Sequence, residues 1–227
     1  NATTQSIAVL NAGNYFVKVT DGNGCSATSS SITTVTETFP VAQITPSGST
    51  TFCQGDSVIL TASGNGSILW STGATTSSIT VRNSNNYFVS VSNSCGIDTA
   101  EITVVVNPLP TPSITANSST TFCNGNTVTL TASAGSSYLW SNGATTQSIT
   151  VSASGNYSVT ITDGNGCSAT SAVTTVTVNP LPIATITPNG ITTFCNGNTV
   201  TLTSSVGSSY LWSNGATTAT NTVAPTA

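Results

Sequence analysis

The chain is 227 residues long, carries a formal net charge of -4, and contains two cations, six carboxylates and no histidine. Most acid-base, metal and phosphate chemistry therefore lacks its usual groups, so neither an enzyme nor a cofactor or metal site is expected. With only Lys18 and Arg82 to set against phosphates, nucleic acid and anionic lipid headgroups are excluded as partners.

Solubility falls to Ser, Thr and Asn, and threonine doubles as a strand former. No apolar run reaches the ~18 residues of a membrane span, and no basic-then-apolar leader opens the sequence, so no membrane insertion is expected. The chain reads as a mature segment or an excised fragment. Six cysteines without a histidine to complete a metal site read as disulfides, hence as an oxidising, extracytoplasmic location.

From the start of the chain, Ala2-Thr-Thr-Gln-Ser-Ile7 matches Ala144 to Ile149, so the first piece begins about halfway through a repeat. It carries Tyr15, a turn at Asp21-Gly-Asn-Gly24 that needs positive φ, and Cys25. Ile32 and Val35 then stand three apart where alternation demands two, the mark of a bulge. The first complete copy brings Ser49-Thr-Thr-Phe-Cys53, Trp70, Tyr87 and Cys95, and ends at Asn107-Pro-Leu-Pro110. There proline removes a hydrogen-bond donor and stiffens the linker.

The next copy repeats Thr120-Thr-Phe-Cys123 and Trp140. Its expected strands run over Val128 to Ala132, Tyr138 to Trp140 and Tyr157 to Ile161, with period two and one buried face. The turn Asp163-Gly-Asn-Gly166 leads to Cys167, Val173 and Val176 predict a second bulge, and Asn179-Pro-Leu-Pro182 closes the copy. A last piece has Thr192-Thr-Phe-Cys195 and Trp212 and stops near the middle of a repeat. Cys53 to Cys123 and Trp70 to Trp140 are offset by 70, Cys123 to Cys195 and Trp140 to Trp212 by 72. That is the length of one small β-domain in tandem. The expected segments are 1–40, 41–110, 111–182 and 183–227, the outer two being half-repeats.

Within a copy, the order Val128-x-Leu130-x-Ala132, Trp140, Gly155-x-Tyr157-x-Val159 resembles the immunoglobulin-like sandwich. That pattern has V-x-L-x-C on strand B, a core Trp on strand C and G-x-Y-x-C on strand F. Ala132 and Val159 take the two cysteine positions. The resemblance therefore implies an all-β rod of such sandwiches held by Trp70, Trp140, Trp212, Tyr15, Tyr87 and Tyr157 without the core cross-link. More narrowly, F-C-x-G-x-x-V-x-L, Y-L-W-S-x-G-A-T-T, G-N-Y-x-V and T-D-G-N-G-C resemble repeats of very large surface proteins of the Bacteroidota, including gliding-motility adhesins of the SprB type. That likeness implies type IX secretion, display at the cell surface as a filament or stalk, and a role in adhesion or motility.

In an immunoglobulin-like copy, Cys123 precedes strand B at the bottom, and Cys167 follows the F-G turn at the top. Seven residues of strand F at ~3.3 Å separate those ends by ~23 Å, whereas a disulfide needs Cα atoms within ~7 Å. Head-to-tail stacking would instead bring Cys53 to Cys167. Intradomain bonds remain open should the strand map differ. By the same rule Cys25, Cys95, Cys123 and Cys195 would bond neighbouring repeats or neighbouring chains. Two arrangements follow: a longer continuous polypeptide, or a homopolymer in which one chain's trailing half-repeat completes the next chain's leading half.

Other candidates are weaker. Asp163 to Gly166 has one carboxylate and no distal Glu, so turn chemistry outweighs calcium binding. Asp56, Asp98 and Glu101 read as isolated surface acids. The triplets Asp56-Ser57-Val58 and Asp98-Thr99-Ala100 resemble an O-glycosylation acceptor of the same phylum, which would place sugar on Ser57 and Thr99. Phe52, Phe122 and Phe194 are expected to fill contacts between neighbouring domains. The function expected is a structural stalk or filament segment. The alternatives are a module binding a glycan or a cell-surface ligand, and a spacer in a secreted polysaccharide-degrading enzyme.

Overall fold

A computed structural model describes residues 4–224; Ala2 and Thr3 of the leading match lie outside the described residues. Every regular element among the described residues is a β-strand. The chain divides into two compact units, one reaching to Leu109 and including Asn165–Cys167, the other formed by Pro110–Gly164 and the residues from Ser168 on.

In the first unit, the complete repeat has strands Gln43–Pro46, Val58–Ser63 and Ser78–Val81 in one antiparallel sheet. The second sheet runs Thr51–Cys53, Gly96–Asn107, Asn85–Asn93, Ser67–Trp70, with only the first pair parallel. Lettered in chain order A, A′, B, C, E, F and G, these are an A-B-E sheet and an A′-G-F-C sheet, the arrangement of an immunoglobulin-like sandwich. Alternation sends Val58, Leu60 and Ala62 of strand B inward to meet Val81, Trp70, Tyr87, Val89 and Val104. Before this repeat, Gly13–Tyr15 pairs with Ile32–Thr34 and Lys18–Thr20 with Ser26–Thr28, which are strands F and G alone.

The second unit repeats the pattern. Ile114–Ala116, Val128–Ala132 and Ser148–Val151 form the A-B-E sheet. Thr121–Cys123 lies parallel to Thr174–Asn179, and Ser137–Trp140 pairs with Val159–Thr162. The core joins Val128, Leu130, Ala132, Ile149 and Val151 to Trp140, Val159, Ile161 and Val176. Ala132 and Val159, at the absent cross-link, are both buried, so aliphatic contact stands where sulfur would. After it, Ile186–Pro188, Val200–Ser204 and Thr220–Val223 form an A-B-E sheet alone.

Two local devices explain the repeated motifs. In Y-L-W-S-x-G-A-T-T, Trp140 N–H donates to the Ala144 carbonyl at 2.9 Å, Gly143 N–H to that of Trp140 at 2.8 Å, and the indole N–H to that of Thr146 at 2.8 Å. The tryptophan thus buries its ring and satisfies its one polar atom. In G-N-Y, the hydroxyl donates four residues back: Tyr15 to Asn11 at 2.8 Å, Tyr87 to Asn83 at 3.1 Å, Tyr157 to Ala153 at 3.2 Å. This is the tyrosine corner of immunoglobulin domains.

The expected strand over Tyr157 to Ile161 is in fact two, Gly155–Tyr157 and Val159–Thr162, parted at Ser158. The cause lies on strand G, which is interrupted between Thr170 and Thr174. There Ser171 turns its hydroxyl into the ladder, accepting from Val159 N–H at 3.1 Å and donating to the Ala172 carbonyl at 2.9 Å. Ser29 accepts from Val17 N–H at 3.1 Å in the same way. Asn85–Asn93 and Gly96–Asn107 pair without a break, joined by a two-residue turn at Ser94-Cys95. The longer hairpins bend at Gly24 and Gly166, with φ of 83° and 82°.

Ser171→Ala should strand a buried N–H and lower the stability of the sandwich whose strands run from Ile114 to Asn179 by about 1–3 kcal/mol. Ser29→Ala, at an exposed site where water can replace the hydroxyl, should cost clearly less. Urea denaturation of the two variants checks the difference, and equal losses would count against this reading of the bulge.

Candidate functional site

The chemistry most available to this chain is that of its cysteines, and strand ends place them. Cys53 closes strand A′ opposite Asn107 on strand G, and the chain then turns with Gln54 N–H donating to the Asn107 carbonyl at 2.8 Å. Cys167 follows the turn after Gly166 and immediately precedes strand G, with no exposed surface. The two sulfurs are bonded, with Cα atoms 5.5 Å apart and a sequence separation of 114. Asn165–Cys167 accordingly groups with the first unit.

Cys123 repeats the setting of Cys53: it lies opposite Asn179, and Asn124 N–H donates to the Asn179 carbonyl at 2.8 Å. It is exposed and unbonded. Asn179 ends strand G while Cys167 precedes its start, so Cys123 and Cys167 stand at opposite ends of about a dozen residues. At ~3.3 Å per residue that is on the order of 35–40 Å, far beyond disulfide reach. The spacing also forbids a bond within the repeat.

Cys25, Cys95 and Cys195 are likewise exposed and unbonded. Cys25 ends a turn in which the Asp21 carboxylate accepts from Asn23 N–H and Cys25 N–H, both at 2.9 Å. Cys95 sits at the tip of the F-G hairpin, its Sγ 3.2 Å from the Glu37 carbonyl oxygen. Cys195 follows no strand; Asn198 N–H donates to its carbonyl at 3.1 Å.

Trp70 and Trp140 are fully enclosed and Tyr87 is buried. Tyr157 is half-buried against its core. Tyr15 and Trp212, in the half-repeats, are only half-buried. Phe52 and Phe122 correct one expectation: each packs against the core of its own repeat instead of projecting toward a neighbour. Strand A′ lies edge-on to strand G, so the residue before its cysteine faces inward. Ser57 and Thr99 are exposed, Ser57 in the loop before strand B and Thr99 on strand G.

Sequence reasoning missed the anchoring of the segment that enters the first complete repeat. Pro40 is fully buried, and the Phe39 ring lies against the backbone of Gly96, where a Cβ would meet it at 2.5 Å. Asn65 and Asn93 amides donate to the Thr38 carbonyl at 3.1 and 2.9 Å. Ser94 donates to the Glu37 carboxylate. Asp98, read as an isolated acid, accepts from Ala42 N–H at 2.8 Å. The signal available was the asparagines at both turns of one end, which can satisfy an incoming backbone.

No protein-family model matches the sequence, and no curated protein does. Solved structures similar to it include murine CEACAM1b, at 14% identity over 61% of this chain and 100% of that one, TM-score 0.32. A three-immunoglobulin-domain segment of titin is 16% identical over 74% and 76%, TM-score 0.38. The four N-terminal immunoglobulin domains of a Dscam1 isoform are 11% identical over 71% and 59%, TM-score 0.30. At such values the overlays add nothing to the assignment, which rests on the strand order, the enclosed tryptophans and the tyrosine corners. Among the described residues no three metal-ligating side chains come together, and no helix is long and apolar enough to cross a membrane.

Proposed function

We propose that this chain is a segment of an extracellular structural stalk or filament, in which immunoglobulin-like repeats are fastened by disulfides to resist bending and pulling. The observation that carries the reading is the bond between Cys53 and Cys167, whose closed loop contains the linker Asn107-Pro-Leu-Pro110. A covalent tie across a proline linker restricts hinge motion and keeps that restriction under load. The chain's near-absence of charge fits a role that needs neither catalysis nor electrostatic steering. The motif likeness to Bacteroidota surface repeats favours a cell-surface protein of the SprB type, exported by the type IX route and serving adhesion or gliding. Its immediate partners are then adjacent repeats of the same protein.

Electron microscopy of the parent protein with and without reductant tests the reading. Stiff particles that become floppy on reduction are expected; particles equally flexible in both conditions would refute the stalk.

A further inference from the structure

Asparagine followed by glycine is the step at which a peptide chain most readily attacks itself, because glycine has no Cβ to keep its backbone nitrogen away from the asparagine side chain. From strand Gln43–Pro46 to strand Thr174–Asn179 the sequence holds four such steps, beginning at Asn65, Asn124, Asn142 and Asn165. Folding treats them differently. The Asn65 amide donates to the Thr38 carbonyl at 3.1 Å and to the Thr38 hydroxyl at 2.9 Å. Gly66 is packed so closely that a Cβ on it would meet the Ser92 carbonyl oxygen at 2.3 Å. Asn142 Oδ1 accepts from Ala144 N–H at 3.2 Å, and Gly143 N–H donates to the Trp140 carbonyl at 2.8 Å. Asn165 is not free either.

The step at Asn124 has none of these restraints. Residues Cys123 to Asn126 form a turn, closed by Asn126 N–H donating to the Cys123 carbonyl at 3.2 Å, with Gly125 at φ 96°. Such a turn pairs its outer peptides and leaves the central one, between Asn124 and Gly125, unpaired. Both residues are exposed, and a Cβ on Gly125 would meet nothing within 4 Å, so the central peptide has room to rotate. Among the described residues neither the Asn124 side chain nor the Gly125 N–H is hydrogen-bonded. In the sandwich around Trp70 the same turn, with Gly55 at φ 105°, carries Gln54, whose longer side chain would have to close a larger and slower-forming ring.

We propose that Asn124 is a site of spontaneous deamidation through a cyclic imide. The Gly125 nitrogen gives up its proton to hydroxide and attacks Asn124 Cγ; the N–Cγ bond forms, the Cγ–Nδ2 bond breaks, and Nδ2 takes a proton from water and leaves as ammonia. Water then opens the ring. Addition at Cγ returns the ordinary main chain with an aspartate at this position, and addition at the main-chain carbonyl gives isoaspartate, in which the main chain runs through the former side chain. Nothing is oxidised or reduced. Either product carries a carboxylate that is ionised at neutral pH, on a chain whose formal net charge is -4 and beside the exposed thiol of Cys123. The isoaspartate form also lengthens the main chain inside the turn that ends strand A′. The inference does not rest on the stalk reading.

The test incubates the full chain, with the Cys53–Cys167 bond intact, in mildly alkaline buffer, and follows each asparagine by peptide mapping with mass spectrometry and separation of the aspartate and isoaspartate forms. In the folded chain Asn124 should convert about tenfold faster than Asn65 or Asn142, the factor expected when one hydrogen bond must first be broken. In urea, which removes the fold, the three rates should converge. Asn124→Gln, which puts at this turn the residue that the other sandwich carries, should abolish the acidic forms of that peptide. Asn65 or Asn142 converting as fast as Asn124 in the folded chain overturns the proposal. So does an Asn124 that folding protects as strongly, relative to urea, as it protects the other two, or an acidic peptide that persists in Asn124→Gln.

Discussion

Trp140→Ala is expected to unfold the sandwich built around it at room temperature or leave it barely folded, while the sandwich around Trp70 keeps its own transition. The indole contacts both sheets of a core that has no disulfide between them, and its N–H is spent on the Thr146 carbonyl. Truncation removes the largest side chain, leaves a cavity and strands that carbonyl. Such losses run to about 3–5 kcal/mol, and a small domain has about 5 kcal/mol or little more to lose. Calorimetry of the full chain should show one endotherm shifted strongly downward and one retained. Trp70→Ala should give the mirror result, and Trp212→Ala, at a half-buried position, a much smaller one. A Trp140→Ala chain with both endotherms in place would mean that the sheets hold together by aliphatic contact alone.

Reduction of the Cys53–Cys167 bond is the second large effect. In the chain-entropy account, closing a loop with a separation of 114 removes about 4.7 kcal/mol of freedom from the unfolded chain, and measured values for disulfides range over about 0–5 kcal/mol. Cys53→Ser/Cys167→Ser should therefore lower the unfolding midpoint of the residues inside the loop by an amount that reductant reproduces on the unmodified chain and does not increase on the variant. The four unbonded cysteines supply the control: Cys25→Ser, Cys95→Ser, Cys123→Ser and Cys195→Ser should leave the monomer's midpoint unchanged. A reductant effect that persists in the Cys53→Ser/Cys167→Ser variant would show that the stabilisation comes from elsewhere.

Much of the fold was legible because it depends on short-range pattern. Alternation along Val128 to Ala132 puts one face inward whatever lies across the sheet, and Trp140 and Tyr157 each make their hydrogen bond within six residues of themselves. The spacing of Val173 and Val176 suggested a bulge there, yet Thr174–Val176 pairs regularly with Gly155–Tyr157 and the extra residue falls between Thr170 and Thr174, where Ser171 meets the ladder with its own hydroxyl. The candidate site was less legible. Phe52 and Phe122 precede end-facing cysteines, yet their direction is set by the parallel pairing of strand A′ with strand G, and no local pattern reports that pairing.

The sequence by itself determined an all-β chain of immunoglobulin-like repeats and a chemistry without histidine and nearly without charge. Those properties are sums over residues or patterns of period two, and they survive any arrangement of the strands. Only the tertiary structure decided that Asp98 anchors Ala42, that Pro40 is enclosed, and that Cys95 rests against Glu37. Each of these depends on where strand ends meet after the chain has returned across tens of residues, a distance over which the sequence carries no local signal.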